Sequence, residues 1–321
     1  MSGNCTQEHC YAPETSCNLG ESEFNNCQYW QGTSESSETS TMVDGSGRLS
    51  WSSNALGIID LQFVAARSKP KVIGVIGSRN AGKTTWLVTL YLLLSRGFIL
   101  KDRSFAGSYT LGGWENLAHW LRWQPEGLGP KFPPHTPSSH NNRMPGLLHL
   151  GFRDQNARLE DVLFTDAPGE WFDRWAIDQN DPNAQGAKWI MRYADVLMLF
   201  IDREELAGSN RGEARNLITT MAQRLGDQTS GRPVIIVWAK SDLSISEQIF
   251  SKLQQTFEKY FSKPETFNIT VKPTEGWNDS HYAMFINLLH SLLTSQNRVK
   301  ANIEPLPVYQ PTDPFLAFRG Q

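Results

Sequence analysis

Eight residues near the start of the apolar part of the chain have the types and spacing needed to hold phosphate. Residues 77–84 read GSRNAGKT and fit G-x-x-x-x-G-K-[ST] at each fixed position. Gly77 and Gly82 let the backbone wrap so that N–H groups point at phosphate oxygens. Lys83 is expected to reach the β- and γ-phosphates, and the Thr84 hydroxyl to bind Mg²⁺. The alternative is a chance glycine turn before a helix. The predicted phosphate-binding residues are Gly77, Asn80, Ala81, Gly82, Lys83, Thr84 and Thr85.

A second group of chemically capable residues follows the apolar run at residues 162–165. Asp166 and Gly169 form the pattern D-x-x-G. An aspartate at the end of a strand can hold Mg²⁺ through water, and the Gly169 N–H can sense a γ-phosphate. Glu170 comes next, and it is a candidate to orient the attacking water or to act as a base. A surface glutamate in a loop is the alternative.

A third group follows the apolar run at residues 233–239 and reads Lys240-Ser241-Asp242. The Asp242 carboxylate can accept hydrogen bonds from both N1–H and the 2-amino group of guanine, and the Lys240 stem can lie over the base plane. Adenine would leave that carboxylate unpaired, which gives strong discrimination. We therefore predict GTP as the ligand, with an ATPase or kinase-like enzyme as the alternative.

The elements that position these residues can be read from alternating apolar runs and helical patterns. Strands are expected at residues 71–77, 147–152, 161–165, 195–201, 233–239 and 267–271, and helices at residues 84–96, 212–225, 246–261 and 282–293. The second and third strands flank the polar turn RDQNAR, which indicates a hairpin. Strands alternating with helices predict a mostly parallel α/β sheet with helices on both faces, and the hairpin makes it mixed.

The three motifs, in this order and each after a strand, resemble a translation-factor-related (TRAFAC) GTPase domain over roughly residues 70–295. This resemblance implies a P-loop NTPase with a Ras-like sheet that hydrolyses GTP slowly without a partner. The runs KTTWL (83–87) and DAPGEWF (166–172) resemble the bacterial double-GTPase proteins of conflict and phage-defence gene clusters. That implies a molecular switch in defence or stress signalling. Ala239 stands where the family's N-K-x-D motif has asparagine, so a pseudo-GTPase scaffold that binds without turnover remains an alternative.

The resemblance also assigns roles to single residues. Glu170 occupies the position where Ras-like GTPases usually carry the glutamine that orients water. Asn80 gives G-x-x-N-x-G-K, and in similar GTPases of tRNA modification this asparagine helps to coordinate K⁺. Potassium dependence is therefore predicted, the alternative being that Asn80 tolerates a left-handed turn. A threonine that closes over the nucleotide is expected before the hairpin; Thr136 is the choice and Thr110 the second candidate. The predicted catalytic set is Lys83, Glu170 and Thr136.

All four cysteines lie in the first 27 residues, at Cys5, Cys10, Cys17 and Cys27. Four thiolates can bind Zn²⁺ tetrahedrally, and a 30-residue unit so poor in apolar residues would need such a staple to fold. The sequence has no C-x₂-C pair, so free thiols are the alternative. A protein partner is expected to dock on this module or on a tryptophan-rich insertion. The tryptophans of the insertion are Trp114, Trp120 and Trp123.

Composition limits the classes of function. The net charge of −3 gives no basic field, so bulk nucleic-acid binding and anionic membranes lack support. The apolar runs are too short to span a bilayer and the N-terminus lacks a signal pattern, which predicts a cytoplasmic protein. Four segments are expected: a Cys-rich module at residues 1–30, a flexible linker at 31–54, the GTPase domain at 55–296 and a Pro-rich tail at 297–321.

Overall fold

The computed structural model describes residues 3–5, 27–32, 55–57, 60–66, 68–98, 100, 102–122, 145–271 and 278–295. The chain divides into two compact units, Met1–Ser50 and Trp51–Gln321. In the first unit, strand β1 (Gly3–Cys5) pairs antiparallel with β2 (Trp30–Gly32). The second unit contains the three motifs.

A seven-stranded sheet forms the centre of the second unit. Its strands are β3 (Lys71–Ile76), β4 (Arg103–Gly107), β5 (Gly146–Asp154), β6 (Leu159–Asp166), β7 (Val196–Asp202), β8 (Val234–Ala239) and β9 (Glu265–Ile269). Their order is β4-β5-β6-β3-β7-β8-β9. Within this order, β6, β3, β7, β8 and β9 pair in parallel. β4 pairs antiparallel with β5, and β5 pairs antiparallel with β6. The mixed, mostly parallel sheet expected from the sequence is confirmed.

Helices cover both faces of the sheet. They are α1 (Leu61–Ala65), α2 (Lys83–Ser95), α3 (Leu111–Arg122), α4 (Gly169–Ile177), α5 (Gln185–Tyr193), α6 (Arg203–Ala207), α7 (Arg211–Gln228), α8 (Glu247–Tyr260) and α9 (Asp279–Thr294), with a 3₁₀ turn at Pro182–Ala184. Buried strand residues alternate between two cores. In β7, Met198 and Phe200 join the core that contains α2, α3 and α9, while Leu197 and Leu199 join the core of α4, α5, α7 and α8.

Several elements are not apparent from sequence patterns. β4 is an edge strand with three exposed central residues, so it lacks an apolar run. α4 begins at Gly169, in a segment for which no helix was predicted, and Trp171, Phe172 and Trp175 give it a buried face. β9 ends at Ile269, earlier than expected, because an edge strand carries few buried residues to mark its limits.

The topology brings the motifs to one edge. β3, β6, β7 and β8 are parallel, so the loops after them meet at the carboxyl edge of the sheet, where open α/β sheets bind ligands. Among the described helices, none combines the length and apolar character required to cross a bilayer.

Candidate functional site

A cavity of about 620 Å³ opens at the carboxyl edge of the sheet. Its walls come from the phosphate-binding loop (residues 77–84), from the 167–170 segment and from the loops that follow β8 and β9. This volume lies within the range of roughly 300–1,000 Å³ typical of small-molecule sites. The lining includes the predicted residues Asn80, Ala81, Gly82, Lys83, Thr84, Thr85, Gly169, Glu170, Lys240 and Asp242.

The backbone of the phosphate-binding loop depends on its two glycines. Gly77 has φ 146°, and a Cβ there would lie 2.8 Å from the Phe200 carbonyl oxygen of β7. Gly82 has φ 83° directly before α2. Asn80 has a left-handed backbone conformation, with φ 61°. This conformation fits the alternative to potassium binding, namely that asparagine at this position tolerates a left-handed turn. The loop therefore runs into the positive N-terminal end of a 13-residue helix.

Lys83 is buried at the floor of this loop, with 7% of its surface exposed. Its Nζ donates hydrogen bonds to the carbonyls of Gly77 and Ser78, each at 2.8 Å. Burial lowers the pKa of Lys83 to about 8, while the negative charge of Asp166 opposes the shift. Among the described residues the ammonium group makes no direct ion pair, which suits a residue meant to meet an anionic ligand.

Thr84 and Asp166 lie together at the end of β6 beside the start of α2. The Thr84 hydroxyl donates to Asp166 Oδ1 at 3.0 Å, because α2 starts beside the end of β6. One hydroxyl and one carboxylate suit Mg²⁺, which takes few protein ligands and completes its shell with phosphate oxygens and water. In the described parts of the chain, no group of three or more His, Cys, Asp or Glu side chains is placed to hold a metal.

The start of α4 packs directly on the phosphate-binding loop. A Cβ on Gly169 would lie 2.2 Å from the Arg79 backbone nitrogen, so glycine is required there. Glu170 Oε1 pairs with Arg79 Nε at 3.3 Å. Burial raises the pKa of Asp173, and hydrogen bonds from the Ser78 hydroxyl and the Arg79 N–H partly offset that shift. The start of α4 therefore contacts the loop through the close packing of Gly169 and the ion pair of Glu170.

At the opposite end of the cavity, Lys240 and Asp242 follow β8. Lys240 has φ 54°, and its Nζ donates to Asp202 Oδ2 at 2.7 Å and to Glu204 Oε2 at 2.6 Å. Burial acts to lower the pKa of Lys240, but these two hydrogen bonds outweigh it and the pKa is raised. The Thr270 hydroxyl donates to Asp242 Oδ1 at 2.6 Å, which orients the carboxylate.

Arg203 braces the loop that carries Asp242. Its Nη1 donates to the carbonyls of Ser241 and Leu243, at 3.3 and 3.4 Å, on either side of Asp242. Its Nη2 donates to Asn268 Oδ1 on β9 at 2.6 Å, and its guanidinium lies 5.6 Å from the centre of the Trp238 ring. One side chain thus connects the ends of β7, β8 and β9 around the predicted base-reading residue.

The two candidate closing threonines differ in their placement. Thr136 lies outside the described residues. Thr110 is fully buried at the start of α3, where its hydroxyl accepts from the His149 N–H at 2.9 Å and lies 3.4 Å from the His149 carbonyl. Of the tryptophans in the insertion, Trp114 is core, Trp120 is partly exposed and Trp123 falls outside the described residues.

The cysteine cluster is covered only in part. Cys27 is buried and is not part of a disulfide. For Cys5 the backbone alone is described, in β1, and Cys10 and Cys17 lie outside the described residues. The zinc site therefore stays a prediction.

Sequence reasoning missed several residues of the site. They are Arg79, Asp173, Asp202, Arg203, Glu204 and Thr270. Asp202 had a usable signal, since it ends an apolar strand as Asp166 does. Arg79 and Asp173 had none, because Arg79 occupies an unspecified position of its motif, Asp173 lies outside the motifs, and both act through contacts across the fold.

A protein-family model described as Double-GTPase 2 matches residues 71–293, which is more than half of the chain and includes all three motifs. No curated protein matches the sequence.

Proposed function

The chain belongs to the Double-GTPase 2 family, and on that premise we propose that it binds GTP with Mg²⁺ in the carboxyl-edge cavity and hydrolyses it to GDP and phosphate. The observation that carries the proposal is the convergence of three motifs on one cavity. Lys83, Glu170 and Asp242 all line it, although they are far apart in the chain. A phosphate-binding end and a base-reading end thus belong to a single site.

The chain's own residues divide the work along the cavity. The phosphate-binding loop and Lys83 bind the triphosphate through N–H groups and one ammonium group. Thr84 and Asp166 would hold Mg²⁺, which would neutralise negative charge on the phosphate groups. Glu170 accepts a hydrogen bond from the attacking water. Asp242, oriented by Thr270, selects guanine by accepting from its N1–H and 2-amino groups.

Titration of fluorescent GTP and ATP analogues with Mg²⁺ tests the base-reading end. Wild type is expected to prefer GTP, and Asp242→Asn to lose at least about tenfold in GTP affinity, since an amide cannot accept both guanine donors. Asp227→Asn, an exposed aspartate on α7, is the matched control and should behave as wild type. Equal affinity for both nucleotides, unchanged in Asp242→Asn, would favour an ATPase instead.

A turnover assay separates an enzyme from a scaffold. Phosphate release from saturating GTP is expected to be slow in wild type and absent in Lys83→Ala. Ala239, in place of the family's asparagine, favours the pseudo-GTPase alternative, because it lacks a side chain that could support the guanine. GTP binding without phosphate release would establish that alternative.

Three finer proposals rest on the family resemblance and on the N-terminal cysteines. Potassium, held with the help of Asn80, supplies positive charge to the reaction, and rates equal in K⁺ and Na⁺ would end this idea. Zinc, held by the four cysteines, folds a module that docks a protein partner.

The switch acts in bacterial defence, so phage plaque formation should fall on a host expressing wild type but not Lys83→Ala. Equal plaque numbers on both hosts would argue against that role.

A further inference from the structure

A positively charged side chain stands at the phosphate end of the cavity without a role in the family motifs. Arg79 is the third residue of the phosphate-binding loop and lines the cavity together with Lys83 and Glu170. Its side chain is 57% exposed, whereas Lys83 is buried. Asp242 and Lys240 mark the base-reading end of the same cavity, so Arg79 lies with the groups expected to meet the terminal phosphate.

The backbone of Arg79 is closely packed, whereas its side chain is largely exposed. Gly169 at the start of α4 packs against the Arg79 nitrogen and Cα. The guanidinium makes an ion pair with Glu170 at 3.3 Å. Exposed pairs of this kind contribute little to stability. A triphosphate, which offers more charge and a bidentate match to the guanidinium fork, would therefore displace the carboxylate.

We propose that Arg79 is a catalytic residue of GTP hydrolysis, supplying from within the chain the positive charge that the transferring phosphoryl group requires, and that Glu170 holds it until the triphosphate binds. The inference rests on the proposed GTPase function. Arginines that act in this way come from a partner or from another part of the same chain. Here the arginine belongs to the phosphate-binding loop itself, and its charge would add to that of any ion held with the help of Asn80.

When the Arg79 guanidinium leaves Glu170 for the triphosphate, both side chains become available for the reaction. When the guanidinium moves to the γ-phosphate, the Glu170 carboxylate is freed to accept a hydrogen bond from water. The water oxygen forms a bond to the γ-phosphorus as the bond from that phosphorus to the β–γ bridging oxygen breaks. GDP leaves with that electron pair on its terminal oxygen, and the proton lost by water passes through Glu170 to phosphate or solvent. Arg79 stabilises the charge on the γ-oxygens throughout.

Single-turnover GTP hydrolysis by the full chain, with GTP affinity measured in parallel, tests the proposal. Arg79→Ala is expected to slow hydrolysis at least about 100-fold, the usual effect of losing one such charge, with GTP affinity changed less than about threefold. Arg79→Lys, which keeps the charge without the fork, should lie between the two. Arg174→Ala is the matched control, since Arg174 is an exposed arginine of α4 outside the cavity lining.

A second measurement does not depend on turnover or on small differences in folding. GDP with aluminium fluoride mimics the transferring phosphoryl group, and wild type and Arg174→Ala should bind it while Arg79→Ala and Arg79→Lys bind it at least about tenfold more weakly. Unchanged or faster hydrolysis in Arg79→Ala overturns the proposal, as does a loss confined to GTP affinity. Wild-type hydrolysis that requires K⁺ and persists in Arg79→Ala assigns the charge to the ion. If wild type binds GTP without hydrolysing it, both the proposed GTPase activity and the role of Arg79 are overturned. If wild type does not bind GTP, the proposed function itself is overturned.

Discussion

At the scale of single residues, burial of an ammonium group gives Lys83 an unusual response to pH. Its pKa is lowered by burial to about 8, and a bound triphosphate is expected to raise it again by placing negative charge beside it. Above about pH 8, binding GTP therefore requires uptake of a proton. The dissociation constant should be flat below about pH 7 and rise by up to about tenfold per pH unit above pH 8.

Lys83→Arg is the control for this profile, because a guanidinium keeps its proton throughout. Titration of the guanine base affects both proteins alike. A steeper rise of the dissociation constant in wild type would therefore identify Lys83 as the titrating group, and parallel profiles would refute this assignment. The same shift affects stability without ligand. Between pH 8 and 10.5 the folded state binds fewer protons at Lys83 than the unfolded state. This residue's contribution to the free energy of unfolding should therefore increase as pH rises through that window.

Arg203 and Asp242, at the base-reading end of the cavity, allow a test of nucleotide specificity. Arg203 holds the carbonyls of Ser241 and Leu243 on either side of Asp242, so Arg203→Met should let the carboxylate drift from the plane of the base. ITP lacks the 2-amino group that Asp242 is proposed to bind. The ratio of ITP to GTP dissociation constants should fall towards one in Arg203→Met, from about tenfold or more in wild type.

Arg211→Met on α7, an exposed arginine outside the cavity lining, should leave that ratio unchanged. If Arg203 serves stability alone, Arg203→Met will melt at a lower temperature while its nucleotide preference stays that of wild type. That outcome would remove Arg203 from the base-reading loop.

At the scale of elements, the docking of α4 on the phosphate-binding loop depends on the absence of a side chain at Gly169. In Gly169→Ala the new Cβ would lie 2.2 Å from the Arg79 nitrogen, so the start of α4 must move away. We expect the variant to lose about 1–3 kcal/mol in free energy of unfolding and to hydrolyse GTP more slowly, because Glu170 moves with the helix. Denaturant unfolding and phosphate release measure the two effects.

Gly212→Ala provides the same substitution where an added Cβ meets nothing within 4 Å, within α7. It should stabilise the protein by up to about 1 kcal/mol and leave hydrolysis unchanged. Equal behaviour of the two variants would show that the close approach of Gly169 has no functional weight.

The elements also show what the sequence reveals and why. β7 and β8 are buried along their full length and read as continuous apolar runs, so they were predicted within one or two residues. β4 and β9 lie at the sheet edges, where partial exposure weakens the pattern. The three motifs are local runs with fixed spacing, and residues from each of them, Lys83, Glu170 and Asp242, line one cavity. Arg203 and Asp173 act over long separations in the chain, and no local pattern identifies such contacts.

At the scale of the whole molecule, the first unit raises the question of metal content. If Cys5, Cys10, Cys17 and Cys27 bind zinc, the full chain should carry about one zinc per molecule by elemental analysis. Cys10→Ser should lower that content, and a chain starting at residue 51, where the second unit begins, should lose it. Zinc that persists in the shortened chain would place the metal elsewhere.

The extent of the GTPase domain is a second whole-molecule question, because the family match begins at residue 71 and the compact unit at Trp51. Leu56 exchanges two backbone hydrogen bonds with Leu147 of β5, and Val64 of α1 is fully buried. We propose that these residues belong to the domain. A chain starting at residue 51 should therefore match the full chain in melting temperature and GTP affinity, while one starting at residue 68 should lose about 2–4 kcal/mol of stability. If both shortened chains melt alike, the family segment alone specifies the fold, and the residues between 51 and 68 are only a connection.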